Sequence, residues 1–284
     1  MSFELFKPTL WSTRYINNTD KRLVYNKVVD TSWTIVGGKA MKINEIGDIL
    51  VSDYTSTGVV FQDVPEAQKV FDVDQKKKFA FQIKDVDKAQ MNVALMDGSM
   101  KKAAFAMGDT IDQFIAGKYT EAGITNATNL GSSTSGLNLY ANMMPELITY
   151  MQRYLKEANA HERPWCIAPP WFMQLIGYGV YTYGTKQFDA PGSVDRQFNN
   201  AFPFMGFDFY ESNNVSNDGT DYRIMFGTRD AIGFAMQLEE IEAVRLENYF
   251  SDGIKGLNIY GSKVIRPDHL GVVHAQFSGL TTST

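Results

Sequence analysis

The sequence predicts an α+β fold in which one long helix stands between strand-rich regions. Three observations predict it. Over residues 71–84, Phe71, Val73, Phe79, Phe81 and Ile83 fall on one face of a two-residue period, with Asp72, Asp74, Lys78, Gln82 and Lys84 on the other. Met100, Ala104, Met107, Ile111 and Phe114 recur at i, i+4, i+7, i+11 and i+14, one face at about 3.6 residues per turn. From Phe204 onward, short apolar runs separated by turn clusters read as strands. The chain has 284 residues, 44% apolar and 21% charged, enough for one large domain or two modest ones and incompatible with wholesale disorder.

Each element follows from local chemistry. Thr19 or Asp20 can cap a short helix running to Val28, with Leu23, Val24 and Val28 as a partial stripe. Arg14, Lys21, Arg22 and Lys27 give this arm a slight positive excess, which reads as a solvated face. Met41, Ile43, Ile46 and Ile49 suggest extended structure broken at Gly47, and residues 71–84 return as a strand. The polar excursion between them, 52–68, is long for a turn, and long loops in folded domains are usually functional. A hairpin with a single apolar face needs cover from the body or from a neighbour. The helix is expected over 85–117, with Asp85 and Asp87 at its positive end, Met91 and Leu95 extending the stripe, and Gly117 then Gly123 closing it. Unbroken, it would be about 45–50 Å long.

Residues 118–136 are small and polar and read as a linker or exposed loop. Met144, Leu147, Met151, Tyr154 and Leu155 mark a second helix over 140–158. The uncharged stretch 165–184 carries Pro169-Pro170, Gly177, Gly179 and Gly184, which suits a buried strand, a turn and a short helix rather than a membrane span. Phe207, Phe209 and Glu211 alternate with Asp208 and Tyr210. Asp218-Gly219 signals a hairpin returning through 222–227, residues 231–237 suggest a short helix, and 242–249, 256–264 and 271–277 suggest strands.

Composition and motifs exclude most chemistry. A net charge of −5 and a pI near 5.3 disfavour a basic surface that wraps nucleic acid. One cysteine cannot form an internal disulfide, and the first eight residues lack the apolar run of a secretory signal. A hydrolase would need Cys166 with His161, His269 or His274, yet Cys166 sits in an apolar strand-like run without a family signature. The histidines have no metal spacing, and the loop from Asn214 has Met225 where a calcium loop needs a bidentate Glu. Gly37-Gly38 and Gly58 make neither a phosphate loop nor a dinucleotide fingerprint, so no cofactor is expected. Lys76-Lys77-Lys78 reads either as a solvated face or as a contact for an acidic neighbour.

Four stretches carry a likeness to a known family. Residues 71–87 run through Val73-Asp74-Gln75, Phe79-Ala80-Phe81 and Asp85-Val86-Asp87. Leu95-Met96-Asp97 and Ala103-Ala104 continue them. Residues 203–214 hold Gly206-Phe207 and Glu211-Ser212-Asn213-Asn214. Residues 231–237, 242–245 and 261–267 form the last stretch. In order and spacing these resemble the major capsid protein of tailed bacteriophages, with the Hong Kong 97-type fold, over nearly the whole chain.

The resemblance implies an N-terminal arm at 1–34 and an extended-loop hairpin at 35–84 lying over an adjacent subunit. It implies a peripheral domain with the spine helix at 85–120 and 238–284, and a mixed α/β axial domain at 121–237. It implies a structural, non-enzymatic coat protein of a double-stranded DNA phage that self-assembles into hexamers and pentamers of an icosahedral head and resides in the virion. Partners would be further copies of the chain, a separate scaffolding protein, a portal, and packaged DNA in weak non-specific contact with the inner face, with no membrane. Met41, Ile43, Phe79, Phe81, Lys76, Lys77 and Lys78 are the expected subunit-interface residues. Lys39, Lys42 and Lys69 lie in the loop, but nothing marks them as crosslinking residues. The rival within the same fold is an encapsulin-like nanocompartment; the arm at 1–18 favours the virus.

Overall fold

Alternating residues at 40–46 and 66–72 form β1 (Ala40–Ile46) and β2 (Glu66–Asp72), antiparallel from Ala40↔Asp72 to Ile46↔Glu66. The computed structural model describes residues 24–33, 40–46, 66–84, 94–182, 202–246 and 251–280, with Val51 and Asp53. The expected caps at Thr19, Asp20, Asp85 and Asp87 and most of the 52–68 excursion lie outside these residues. After Val73-Asp74 the chain leaves the hairpin. β3 (Gln75–Lys84) pairs instead with β10 (Ser251–Val264), whose other side carries β9 (Ile232–Arg245). This corrects the single returning strand expected over 71–84. The alternation runs unbroken across two strands because both turn their odd-numbered residues inward: Phe71 and Val73 into a small cluster with Ala235, Phe79 and Phe81 onto the main core.

The spine helix α1 (Ala94–Ala116) has 23 residues, about 34 Å at ~1.5 Å each. Met100, Ala104, Met107 and Ile111 are buried as the spacing demands, and Ile115 completes the stripe. Phe114 is only half-buried, its ring edge-on to Tyr260 with centroids 5.4 Å apart. At Gly117 the helix tightens into a 3-10 turn ending at Glu121. Residues 118–136 are not the free linker expected. Gly123 N donates to Pro267 O at 2.9 Å, Ile124 N to Leu270 O at 3.0 Å and His274 N to Leu130 O at 2.7 Å, and Leu130 is fully buried. Backbone bonding straps this segment to the body.

β4 (Leu137–Leu139) leads into α2 (Met144–Glu157), which has Pro145 and Glu146 in its first turn and Lys156 in its last, matching the helix dipole. Asn159, at φ 58, then takes the left-handed conformation Asn tolerates. All four residues of β5 (Trp165–Ala168) are buried, and α3 (Pro170–Thr182) starts on the second proline. β6 (Phe202–Phe204), β7 (Phe207–Glu211), β8 (Tyr222–Gly227) and β11 (Leu270–Phe277) complete a six-stranded sheet ordered β4-β11-β8-β5-β7-β6.

Two expectations are corrected here. The Asp218-Gly219 turn closes only a local loop, with Arg223 N donating to Ser216 O at 2.8 Å. β7 and β8 are not hairpin partners, because the wholly apolar β5 lies between them, parallel to β7 and antiparallel to β8. Residues 232–237 are strand, not helix: Ile232 and Phe234 bury on one face of β9 while Ala235 buries on the other. β11 pairs with β8 and β4 of the large sheet.

Of the helix expected up to Val28, the described end is a 3-10 turn, Tyr25–Lys27, with Tyr25, Val28 and Val29 buried. Asp30 then bridges to β9, its N–H donating to Ile232 O and its carbonyl accepting from Phe234 N, both at 2.9 Å. The segment 24–33 is thus tied to the outer side of β9 near Gly233.

Candidate assembly surface

The hairpin is held at its base. Phe71 and Val73 bury with Ala235, and Trp33, Ile43 and Ile259 pack on that cluster. Lys69 Nζ donates to Ile265 O at 3.0 Å, which ties β2 to the end of β10. The corner between β2 and β3 sits so closely on β10 that a Cβ on Gly261 would lie 2.4 Å from Asp72 O. Among the described residues the contacts of β1 and β2 with the rest of the chain gather here. Two strands alone are marginal in water.

The expected interface residues divide into two groups. Met41 lies in β1 opposite Phe71. Ile43 is half-buried against its own chain. Phe79 and Phe81 are half-buried on the main core, their rings stacked with centroids 6.5 Å apart. Phe79 lies over Gly256, its cross-strand partner, where a Cβ would meet the ring at 2.4 Å. The large apolar side chains left exposed among the described residues are Val51, Val70, Phe105 and Phe277.

Lys76, Lys77 and Lys78 form the second group. They are exposed and lie on β3, an edge of the three-stranded sheet. Lysines on an edge strand discourage indiscriminate strand addition, which accounts for part of the run. The opposite edge, β9, carries Glu239, Glu240 and Glu242. Register sets the two side by side: Leu257 of β10 pairs with Lys78 on one flank and Glu240 on the other. No spacing rule in the sequence joins residues this far apart; only the β10 ladder does. A bulge at Leu257/Asn258 leaves Glu239 unpaired. Glu242 and Lys255 form an exposed ion pair, 2.8 Å.

The residues weighed for catalysis do not assemble. Cys166 is fully buried, and burial pushes its thiol far above the ordinary range, so no thiolate is available. His161 is exposed. His274 is buried, and burial together with Arg223 holds it below the ordinary imidazole range. His269 Nδ1 lies 3.1 Å and Arg266 Nη1 2.7 Å from Asp230 Oδ2, and the Thr228 hydroxyl donates to Asp230 Oδ1. Burial would raise the Asp230 carboxyl, but these partners outweigh it and hold it below the usual carboxylate range. These contacts staple two turns together, and the Thr228 hydroxyl is buried in them, bonded to Asp230. Among the described residues no three His, Cys, Asp or Glu side chains are grouped to hold a metal, and no helix is long and apolar enough to cross a membrane. Asp218 Oδ1 accepts from the Thr220 and Asp221 amides, which is a turn rather than a calcium loop.

No family model and no curated protein matches the chain. Solved structures do. A structure from Mycobacterium phage Che8 superposes with a TM-score of 0.67 at 22% identity, covering 88% of this chain and 90% of that one. The capsid of cyanophage P-SCSP1u gives 0.64 at 16% identity, covering 90% and 89%. A virus-like particle from Pyrococcus furiosus gives 0.58 at 13%, covering 92% and 96%. The chain therefore has the fold of these structures over nearly its full length.

Proposed function

We propose that this chain is the coat protein of a bacteriophage head, a structural protein without enzymatic activity that resides in the virion. The observation that carries the reading is the match with the capsid of cyanophage P-SCSP1u, which covers 90% of this chain and 89% of that one, beside a phage Che8 structure that covers 88% and 90%. Physics supports it independently. The hairpin is anchored only at its base among the described residues, and Val70 is exposed on it. Cover from a neighbouring copy, over an interface of about 1,600 Å², gives such a projection a stable place. Heterologous contacts repeated around closed rings then build a shell.

In finer detail, copies form hexamers and pentamers of an icosahedral head enclosing the double-stranded DNA of a tailed phage. A separate scaffolding protein and a portal guide assembly, and the acidic chain touches packaged DNA only weakly. The test is size-exclusion chromatography with negative-stain microscopy of the purified chain, expected to show closed particles or their capsomers. A stable monomer at high concentration, with and without scaffold, overturns the reading. A second reading, an encapsulin-like compartment, draws on the likeness to the Pyrococcus particle. Particles recovered from the native source with protein cargo and no DNA would favour it.

A further inference from the structure

We propose that His274 and Arg223, side by side across β11 and β8, form an acid-sensitive clasp that holds the segment 124–136 on the large sheet and releases it when His274 takes up a proton. The inference stands apart from the shell reading and concerns the folded chain alone. His274 and Arg223 are cross-strand partners, so their side chains share one face of the sheet. Tyr119, in the 3-10 turn that ends the spine helix, packs on both. The Arg223 guanidinium lies 5.1 Å from its ring centroid, and the His274 ring stands edge-on to it with centroids 6.4 Å apart. Segment 124–136 closes over the same rung. His274 N donates to Leu130 O at 2.7 Å, and a Cβ on Gly131 would lie 2.3 Å from His274 O and 3.2 Å from His274 Cβ. Gly136 presses on the Asp221 carboxylate in the same way.

This rung is built for one cation and not for two. Arg223 is already paired with Asp218 at 2.9 Å. His274 is buried at 7% exposure, and neither its Nδ1 nor Arg223 Nε has a hydrogen-bond partner among the described residues. A neutral imidazole can leave Nδ1 as a bare acceptor. An imidazolium makes both ring nitrogens donors, so a buried N–H would stand unpaired beside a guanidinium. The titratable and charged groups facing the ring are Arg223 from β8, Asp218 and Asp221 from the turn before it, and Tyr119 from the end of the spine helix. Segment 124–136 and β4 contain none. The two carboxylates favour the cation, yet burial, then Arg223, outweigh them and hold the imidazole below its ordinary range. The unfolded chain takes the proton at the ordinary 6.5 and the folded chain only at lower pH. The clasp is therefore at full strength above 6.5 and weakens as pH falls below it. Lifting Leu130 and Gly131 off β11 lets water reach the new N–H and relieves the penalty.

The test uses the full chain at about pH 7.5 and about pH 5, on either side of the ordinary imidazole range, as the parent and as His274→Gln, His274→Phe and Arg223→Met. Deuterium uptake by mass spectrometry, corrected for the intrinsic pH dependence of exchange, reads the protection of amides in 124–136. Exchange of the imidazole Cε1 hydrogen titrates His274 itself. In the parent, protection of 124–136 is expected to fall about tenfold on acidification, while the buried strand β5 keeps its own. Both His274 variants should stay level between the two conditions. Arg223→Met removes the neighbouring cation, so His274 should titrate at higher pH and the segment should open at higher pH with it. Protection in the parent that ignores pH overturns the clasp, as does a fall that the His274 variants share. Opening that fails to follow the His274 titration in Arg223→Met overturns it too, and that comparison stands even if a His274 variant does not fold.

Discussion

At the scale of single residues, Asp112 is a carboxyl held inside the core. It lies on α1 at 2% exposure and accepts the Val24 amide at 3.2 Å, the point where the N-terminal segment meets the spine helix. Burial is the largest influence and raises its carboxyl; the amides of Val24 and Tyr25 and the Asn214 side chain pull it back, while the charge of Asp109 adds to the rise, for a value of about 7. The folded chain thus holds a proton that the unfolded chain releases near the ordinary 3.8. The stabilisation is complete below that lower value and fades as pH rises through 4 to 7. Asp112→Asn keeps an acceptor for Val24 without the charge. It should be more stable than the parent at pH 8, by on the order of 4 kcal/mol, and equal to it near pH 4; thermal melts at the two values check this. Cys166 offers a companion prediction: a thiol reagent should leave the folded protein unmodified and label it only in denaturant, read by mass spectrometry. The inertness of Cys166 was legible from its apolar neighbours. The state of Asp112 was not, because its burial comes with tertiary packing, in which it meets a segment 88 positions away.

At the scale of elements, close approach matters more than composition. A methyl on Gly261 would press within 2.4 Å of the Asp72 carbonyl, a backbone atom that cannot swing aside as a side chain would. Gly261→Ala should therefore cost about 1–3 kcal/mol and loosen the hairpin base. Chemical denaturation would show the loss, and hydrogen exchange should speed first in β1 and β2. The elements legible in the sequence are those with a local period, such as the stripe from Met100 to Ile111 and the alternation of Phe207 and Phe209. Those misread depend on partners distant in the chain. Ala231-Ile232-Gly233-Phe234 is small and apolar enough for either helix or strand, and pairing with β10 decides for strand. The turn at Asp218-Gly219 promised neighbouring strands, but the insertion of β5 is a matter of topology that no local signal encodes. The candidate surface divides likewise: the lysine run is visible in the sequence, while its place on a sheet edge comes only from the pairing of β3 with β10.

At the scale of the whole molecule, the hairpin separates what a single copy needs from what the proposed shell would need. Ile46 and Glu66 are the last paired residues of β1 and β2, so an Asn-Gly turn can join them directly in place of residues 47–65. Shortening that connection from 19 residues to two lowers the entropy of closing it by roughly 2 kcal/mol. The base contacts of Phe71, Ile43 and Lys69 all lie outside the deleted segment. The shortened chain should therefore fold with unchanged secondary structure and a melting temperature at or above that of the parent. If the excursion serves to cover a neighbouring copy, the same chain should remain as monomers or small oligomers under conditions where the parent closes into particles. Calorimetry and electron micrographs of the two proteins side by side give both readings. Normal particles from the shortened chain would show that the excursion is dispensable for cover, and the cohesion of the shell would then have to come from the rest of the chain.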